Sequence, residues 1–91
     1  MTFRPDRLDQ FHQVFSATRD HIRAVPGCRH LELWEDARYP NVLTTYSHWI
    51  DAEALHAYRE SVLFRSTWEK TKPLFAAAPV ARSHFMVARI D

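Results

Sequence analysis

Glycine is almost absent from this chain: Gly27 is the one example in 91 residues, beside five prolines. A flexible Gly/Ser linker or a low-complexity tail is thereby excluded. Cysteine is as scarce. The single Cys28 has no partner for an internal disulfide. That argues against the disulfide-stapled secreted scaffolds and makes the cytoplasm the expected compartment. Charge of one sign is missing too. Twelve Lys and Arg stand against 11 Asp and Glu, a formal net charge of +1. The signs are mixed along the chain, so no basic stripe invites nucleic acid. No apolar run approaches the roughly 20 residues that cross a bilayer. The first residues also lack the apolar stretch of a signal peptide. Neither nucleic acid nor membrane is expected as a partner.

Aromatic residues, by contrast, are plentiful: three Trp, six Phe and three Tyr in a chain that is 46% apolar. Its 91 residues are expected to form one domain, residues 1–91. A domain of this size buries only about two-thirds of the surface its unfolded form exposes. So many large side chains exceed what one small core hides. The surplus is expected in a pocket, a subunit interface or both.

Residues 6–25 read as an amphipathic helix, with Leu8, Phe11, Phe15, Ile22 and Val25 recurring near a period of 3.6. Pro5 suits the helix start and Pro26-Gly27 the stop. Residues 28–35 and 42–49 read as strands of an antiparallel hairpin, joined by the turn-rich segment Asp36-Ala37-Arg38-Tyr39-Pro40-Asn41. Leu31, Leu33 and Leu43 must face a core, so the odd positions share one face: Leu31, Leu33, Leu43, Thr45, Ser47 and Trp49. The other face then carries Cys28, His30, Glu32, Trp34, Val42, Thr44, Tyr46 and His48.

Residues 51–72 read as a second helical region, capped by Asp51 and again by Ser61, with a break near Ser61 and a stop at Pro73. Residues 74–81 read as a loop. Residues 83–90, apolar on both faces, read as a last strand buried on both sides. The spacing predicts an α+β fold of β-α-β-β-α-β order with all strands on one sheet. The first strand has only Met1-Thr2-Phe3-Arg4 to form from. It is either very short or belongs to a natural chain that begins upstream. Two helices on one sheet face leave the other bare, with Trp34, Tyr46 and Val42 on it. A second copy packed there removes the exposed patch, so a homodimer is expected.

These landmarks resemble the antibiotic biosynthesis monooxygenase family, dimeric α/β barrels of ferredoxin-like subunits. The likeness is carried by Ile22-Arg23-Ala24-Val25-Pro26-Gly27-Cys28, Leu31-Glu32-Leu33, Pro40-Asn41 and Trp49-Ile50-Asp51-Ala52-Glu53-Ala54-Leu55. Ser61 with Phe64 and Trp68 follows in the same order. The resemblance implies a pocket between sheet and helices in each subunit. It implies cofactor-free oxygenation of anthrone-like or quinol-like aromatics; haem-degrading enzymes and proteins with no known activity share the fold. The family's Trp at the end of the third strand matches Trp49. Its frequent helix-two His falls at Tyr58, and the axial His of the haem-degrading relatives falls at about Trp68. Their first-strand Asn has no counterpart in Met1–Arg4. These departures argue against haem degradation.

The residues themselves point to the same place. Thr45 and Ser47 are small and polar where a packed core prefers Val or Leu. Beneath a helix they either accept a large aromatic or leave a cavity. Trp49, Tyr58, Phe64 and Trp68 are the large neighbours available, and filling that gap as plain core is the alternative to lining a site. In the functional reading Trp49 and Tyr58 are the catalytic candidates, as donors to a developing oxyanion. Thr45, Ser47, Phe64 and Trp68 then bind the substrate. No cofactor or metal is expected. A metal site takes three or four converging ligands, and two His and a Glu on strands, His30, His48 and Glu32, make a thin case for one. His48, the nearest imidazole in sequence, falls on the opposite face and leaves no evident base. A non-catalytic dimeric small-molecule-binding protein is the alternative function, and a haem-handling protein is a third.

Overall fold

A computed structural model describes residues 1–91. The elements run β1 (Thr2–Phe3), a 3-10 turn (Pro5–Arg7), α1 (Leu8–Arg23), β2 (Cys28–Glu35), β3 (Leu43–Trp49), α2 (Ala52–Arg59), α3 (Val62–Thr71), a second 3-10 turn (Lys72–Leu74) and β4 (Phe75–Ala77). This is the α+β, ferredoxin-like β-α-β-β-α-β order. The proline restriction on Val25 ends α1, and Gly27 turns the chain with φ of 88°. Asp36 organises the hairpin loop, its carboxylate accepting from the Arg38 and Tyr39 N–H groups at 2.9 and 3.0 Å.

β2 and β3 pair antiparallel, with Leu31 opposite Ser47, Leu33 opposite Thr45 and Glu35 opposite Leu43. The odd positions therefore share a face, as the sequence predicts. Cys28 is the exception. The register slips between Cys28 and His30, so Cys28 pairs with Trp49 instead of an even-numbered residue. The bulge turns Cys28 off the face assigned to it from parity and into the interior, where it is buried.

β1 pairs with β4, and one bridge, Thr2 to Val42, ties β1 to the start of β3. Phe3 N–H donates to Asn41 O and Leu43 N–H to Met1 O, both at 2.9 Å. The Asn41 amide closes the joint by donating to Phe3 O at 2.8 Å. The strands thus lie in the order β4-β1-β3-β2, as two ladders with this narrow seam between them. α1 packs on α3 and β2, and α2 on α3 and β3. The core is Phe3, Phe11, Leu43 and Leu74, with Phe3 fully buried and its ring stacked on Phe11 at 4.2 Å.

The strand expected over residues 83–90 does not form. The fourth strand is Phe75–Ala77, inside the stretch read as a loop. Alanine is a poor strand former and 83–90 carries the stronger β signal, but position overrides propensity. Directly after the Lys72–Leu74 turn, Phe75 comes opposite Phe3, and their rings meet at 5.2 Å. Residues 78–91 run on without helix or strand. Instead of being buried on both sides, Phe85 is 88% exposed, Val87 96% and Ile90 93%. The chain as a whole exposes 7183 Å², where a compact monomer of 10.8 kDa exposes about 5,500 Å². No helix is long and apolar enough to cross a membrane.

A Cβ on Gly27 would meet Ala54 Cβ at 2.5 Å and Ile50 Cγ1 at 3.1 Å, at a φ that L side chains rarely adopt. Gly27→Ala is therefore expected to destabilise by about 2–4 kcal/mol, from the left-handed strain and the overpacking together. Urea denaturation reads this, and a loss below about half a kcal/mol, the range of an ordinary surface substitution, would show that the turn tolerates a side chain.

Candidate functional site

Ser61 makes the joint between the two helices beside the site. Its hydroxyl donates to Tyr58 O at 2.5 Å and accepts from Phe64 N–H at 3.1 Å. One side chain thus ends α2 and caps α3. Asp51 caps α2 in the same way, accepting from Ala54 N–H at 2.8 Å. The break turns the two helical pieces so that Tyr58 and Phe64 meet edge to face, centroids 5.3 Å apart. The aromatic contacts continue on both sides. Trp49 stacks on Tyr58 at 5.1 Å, Phe64 stacks on Trp68 at 6.1 Å, and Trp68 meets Phe75 at 5.5 Å.

A cleft of about 140 Å³ opens beside this train, lined by Met1, Phe11, Thr45, Tyr58, Phe64, Thr67, Trp68 and Thr71. Of the six residues singled out from the sequence, Thr45, Tyr58, Phe64 and Trp68 line it. Ser47 and Trp49 do not. They stand behind Tyr58, with Trp49 Nε1–H donating to Ser47 Oγ at 3.0 Å. That bond occupies the indole donor and holds the Trp49 ring flat against Tyr58. Met1, Phe11, Thr67 and Thr71 were missed. For the two threonines the signal was present: 64, 67, 68 and 71 form one helical stripe.

Tyr58 is the only ionisable side chain on the cleft. Burial, with a smaller contribution from the nearby Cys28, pushes its phenol above the ordinary value. At neutral pH it is a donor and not a base. The imidazoles lie elsewhere. His30 and His48 face each other on the other side of the sheet, centroids 5.1 Å apart. His30 Nε2 bonds Glu32 at 2.7 Å and His48 Nε2 bonds Tyr46 Oη at 2.5 Å. The hydrogen bond from His30 holds the Glu32 carboxyl below the usual carboxylate range. No three His, Cys, Asp or Glu side chains converge as a metal site would need.

The family profile of the antibiotic biosynthesis monooxygenases matches residues 1–70. The chain belongs to that family. No curated protein matches it. Among solved structures it is similar to a Bordetella bronchiseptica protein provisionally named an antibiotic biosynthesis monooxygenase, at 19% identity and TM-score 0.84, over 97% of this chain and 91% of that one. A Caulobacter crescentus protein with the same provisional name gives 21% and 0.82, over 88% and 76%. A conserved Methanosarcina mazei protein gives 16% and 0.81, over 85% and 76%. At these identities the likeness speaks for the fold.

The raised Tyr58 phenol has a pH signature. A free phenol ionises near pH 10, so in the unfolded chain Tyr58 ionises first. Stability contributed by the neutral buried phenol is intact below that value and falls as the pH rises from it towards the higher folded value. Absorbance at 295 nm is expected to show a late-titrating tyrosine that Tyr58→Phe removes. A wild-type curve superimposable on the variant's, apart from one tyrosine's amplitude, would contradict the burial.

Proposed function

We propose that this family member is a cofactor-independent monooxygenase of a quinol-like aromatic, working as a homodimer. The single observation that carries the reading is the cleft, an apolar slot with aromatic walls and one phenol donor. Its volume of about 140 Å³ is close to the roughly 150 Å³ of an engineered cavity that holds benzene, which favours a single-ring quinol over a three-ring anthrone. Phe64 and Trp68 would flank the ring, Thr45 would orient it at the open side, and Tyr58 would donate to the developing oxyanion. Trp49 and Ser47 would act from behind, by fixing Tyr58.

Such chemistry asks little of the protein. The acidic, electron-rich substrate anion reduces dioxygen itself. One oxygen atom replaces a ring hydrogen as a hydroxyl and the other leaves as water, the quinol supplying the two electrons as it becomes a quinone: a hydroquinone and O₂ give a hydroxybenzoquinone and H₂O. The cleft lining contains no His, Asp or Glu to take the phenolic proton. That favours a second reading, a non-catalytic dimeric protein that binds the same class of molecule. A cleft of about 140 Å³ falls short of the roughly 300–1,000 Å³ of sites for drug-sized ligands and cofactors, which counts against haem handling.

Support for the dimer is quantitative. The chain exposes about 1,600 Å² more than a compact monomer of its mass, and a standard interface removes about 800 Å² from each partner. The excess includes Trp34, 48% exposed and stacked on Tyr46, on the open sheet face, and the apolar arm of residues 78–91. A second copy seated on that face, each arm lying along its partner, would cover both. The dimeric α/β barrel is that arrangement, with each protomer a single domain.

Oxygen uptake with hydroquinones as substrates tests the reaction, and Tyr58→Phe is expected to slow it about 10²-fold. Quinol binding with no oxygen uptake would leave the non-catalytic reading. Light scattering at micromolar concentration is expected to give about twice 10.8 kDa, and Trp34→Asp or Tyr46→Asp to split or unfold that species. A wild-type monomer, or stable dimers from both variants, would contradict the interface.

A further inference from the structure

The three threonines within helices behave differently. Thr18 and Thr71 each donate to the carbonyl four residues back, Val14 O and Thr67 O, both at 2.8 Å. This is the usual way a helical threonine satisfies its hydroxyl. Thr67 does not. Its Oγ1 is shut off from water and has no hydrogen-bond partner, although Leu63 O stands one turn back. Buried hydroxyls are nearly always paired, and an orphan calls for a reason. Thr67 lines the cleft between Phe64 and Trp68 in sequence, together with Tyr58.

We propose that Thr67 is a specificity-determining residue of the cleft, its hydroxyl bonding an oxygen carried by the bound ring. This rests on the reading of the cleft as an aromatic site and names what the site distinguishes: oxygenated single rings from bare ones. Water does not reach Oγ1 in the cleft as it stands. The hydroxyl gains a partner only when a ring-borne oxygen enters and the Phe64–Trp68 wall yields to it. Thr45 and Thr71 also line the slot, but the Thr71 hydroxyl already donates to Thr67 O, and Tyr58 and Thr67 then offer two polar groups suited to a ring with two oxygens. A site built to bond a ring oxygen discriminates against the ring that lacks it more sharply than an apolar pocket discriminates by size.

The test uses Thr67→Val, which keeps the shape and removes the hydroxyl, and Thr67→Ser, which keeps the hydroxyl. Anaerobic titrations with hydroquinone and with toluene, followed by quenching of tryptophan fluorescence, read binding. Urea denaturation reads stability. Thr67→Val is expected to lose about tenfold in hydroquinone affinity, the equivalent of one hydrogen bond. It should keep toluene affinity, and its urea midpoint should not fall. Thr67→Ser should keep both affinities. Equal loss for both ligands, no loss for hydroquinone, or a urea midpoint lowered by Thr67→Val would each overturn the proposal. The last would mean that the hydroxyl already has a partner, such as an ordered water or Leu63 O. Wild-type protein that binds neither probe, or toluene alone, would overturn the quinol reading and this inference with it, whereas hydroquinone binding that Thr67→Val leaves unchanged removes only the role of Thr67.

Discussion

The structure depends on the burial of Phe3. β1 has only two residues, too few for a ladder to hold on its own, yet it joins the two halves of the sheet. What fixes it is the ring of Phe3, fully buried, stacked on Phe11 and in contact with Phe75. Through Phe11 it anchors α1, and through Phe75 it sets the register of β4. Its own N–H and C=O, bonded to the Asn41 carbonyl and side-chain amide, dock the start of β3. From Phe75 the aromatic contacts pass to Trp68, Phe64, Tyr58 and Trp49. Core and cleft are therefore one packed series, and a disturbance at Phe3 is expected to be felt at the site.

The two sides of the sheet have different work. The helix side holds the core and the cleft. The open side carries Trp34 stacked on Tyr46, beside the His30–Glu32 and Tyr46–His48 pairs. Polar side chains satisfied within one face suit a surface that will be covered, because they need no water once it is gone. In the proposed dimer this face would be enclosed, and the cleft on the far side would stay accessible. The imidazoles of His30 and His48 lie on that open face and not on the cleft, so neither can serve there as a base.

Much of this was legible from the sequence, for identifiable reasons. The hairpin register followed from parity, since Leu31, Leu33 and Leu43 had to share a face. The break at Ser61 followed from a capping residue in mid-helix with Phe64 and Trp68 spaced behind it. Thr45 and Ser47, small and polar beneath a helix, marked a gap in the sequence; the cleft opens at Thr45 and not at Ser47. Cys28 was misplaced because a bulge leaves no mark in alternation. The last strand was misplaced because β4 is set by its distance from Phe3 and not by propensity, while the apolar alternation of 83–90 belongs to a segment with no partner inside one chain. Thr67 and Thr71 lie on the Phe64–Trp68 stripe, but a threonine at helical spacing carries no mark that separates a cleft wall from a packed face.

In the proposed function the helix side of β3 binds the aromatic ring and the opposite face does not. A crystal structure of the protein grown without oxygen in the presence of hydroquinone tests it most directly. The ring is expected against Phe64 and Trp68, with one oxygen at the Tyr58 phenol and the other at Thr67 Oγ1. A ring seated instead on the open face, against Trp34 and Tyr46, with the cleft closed by its own side chains, would contradict it.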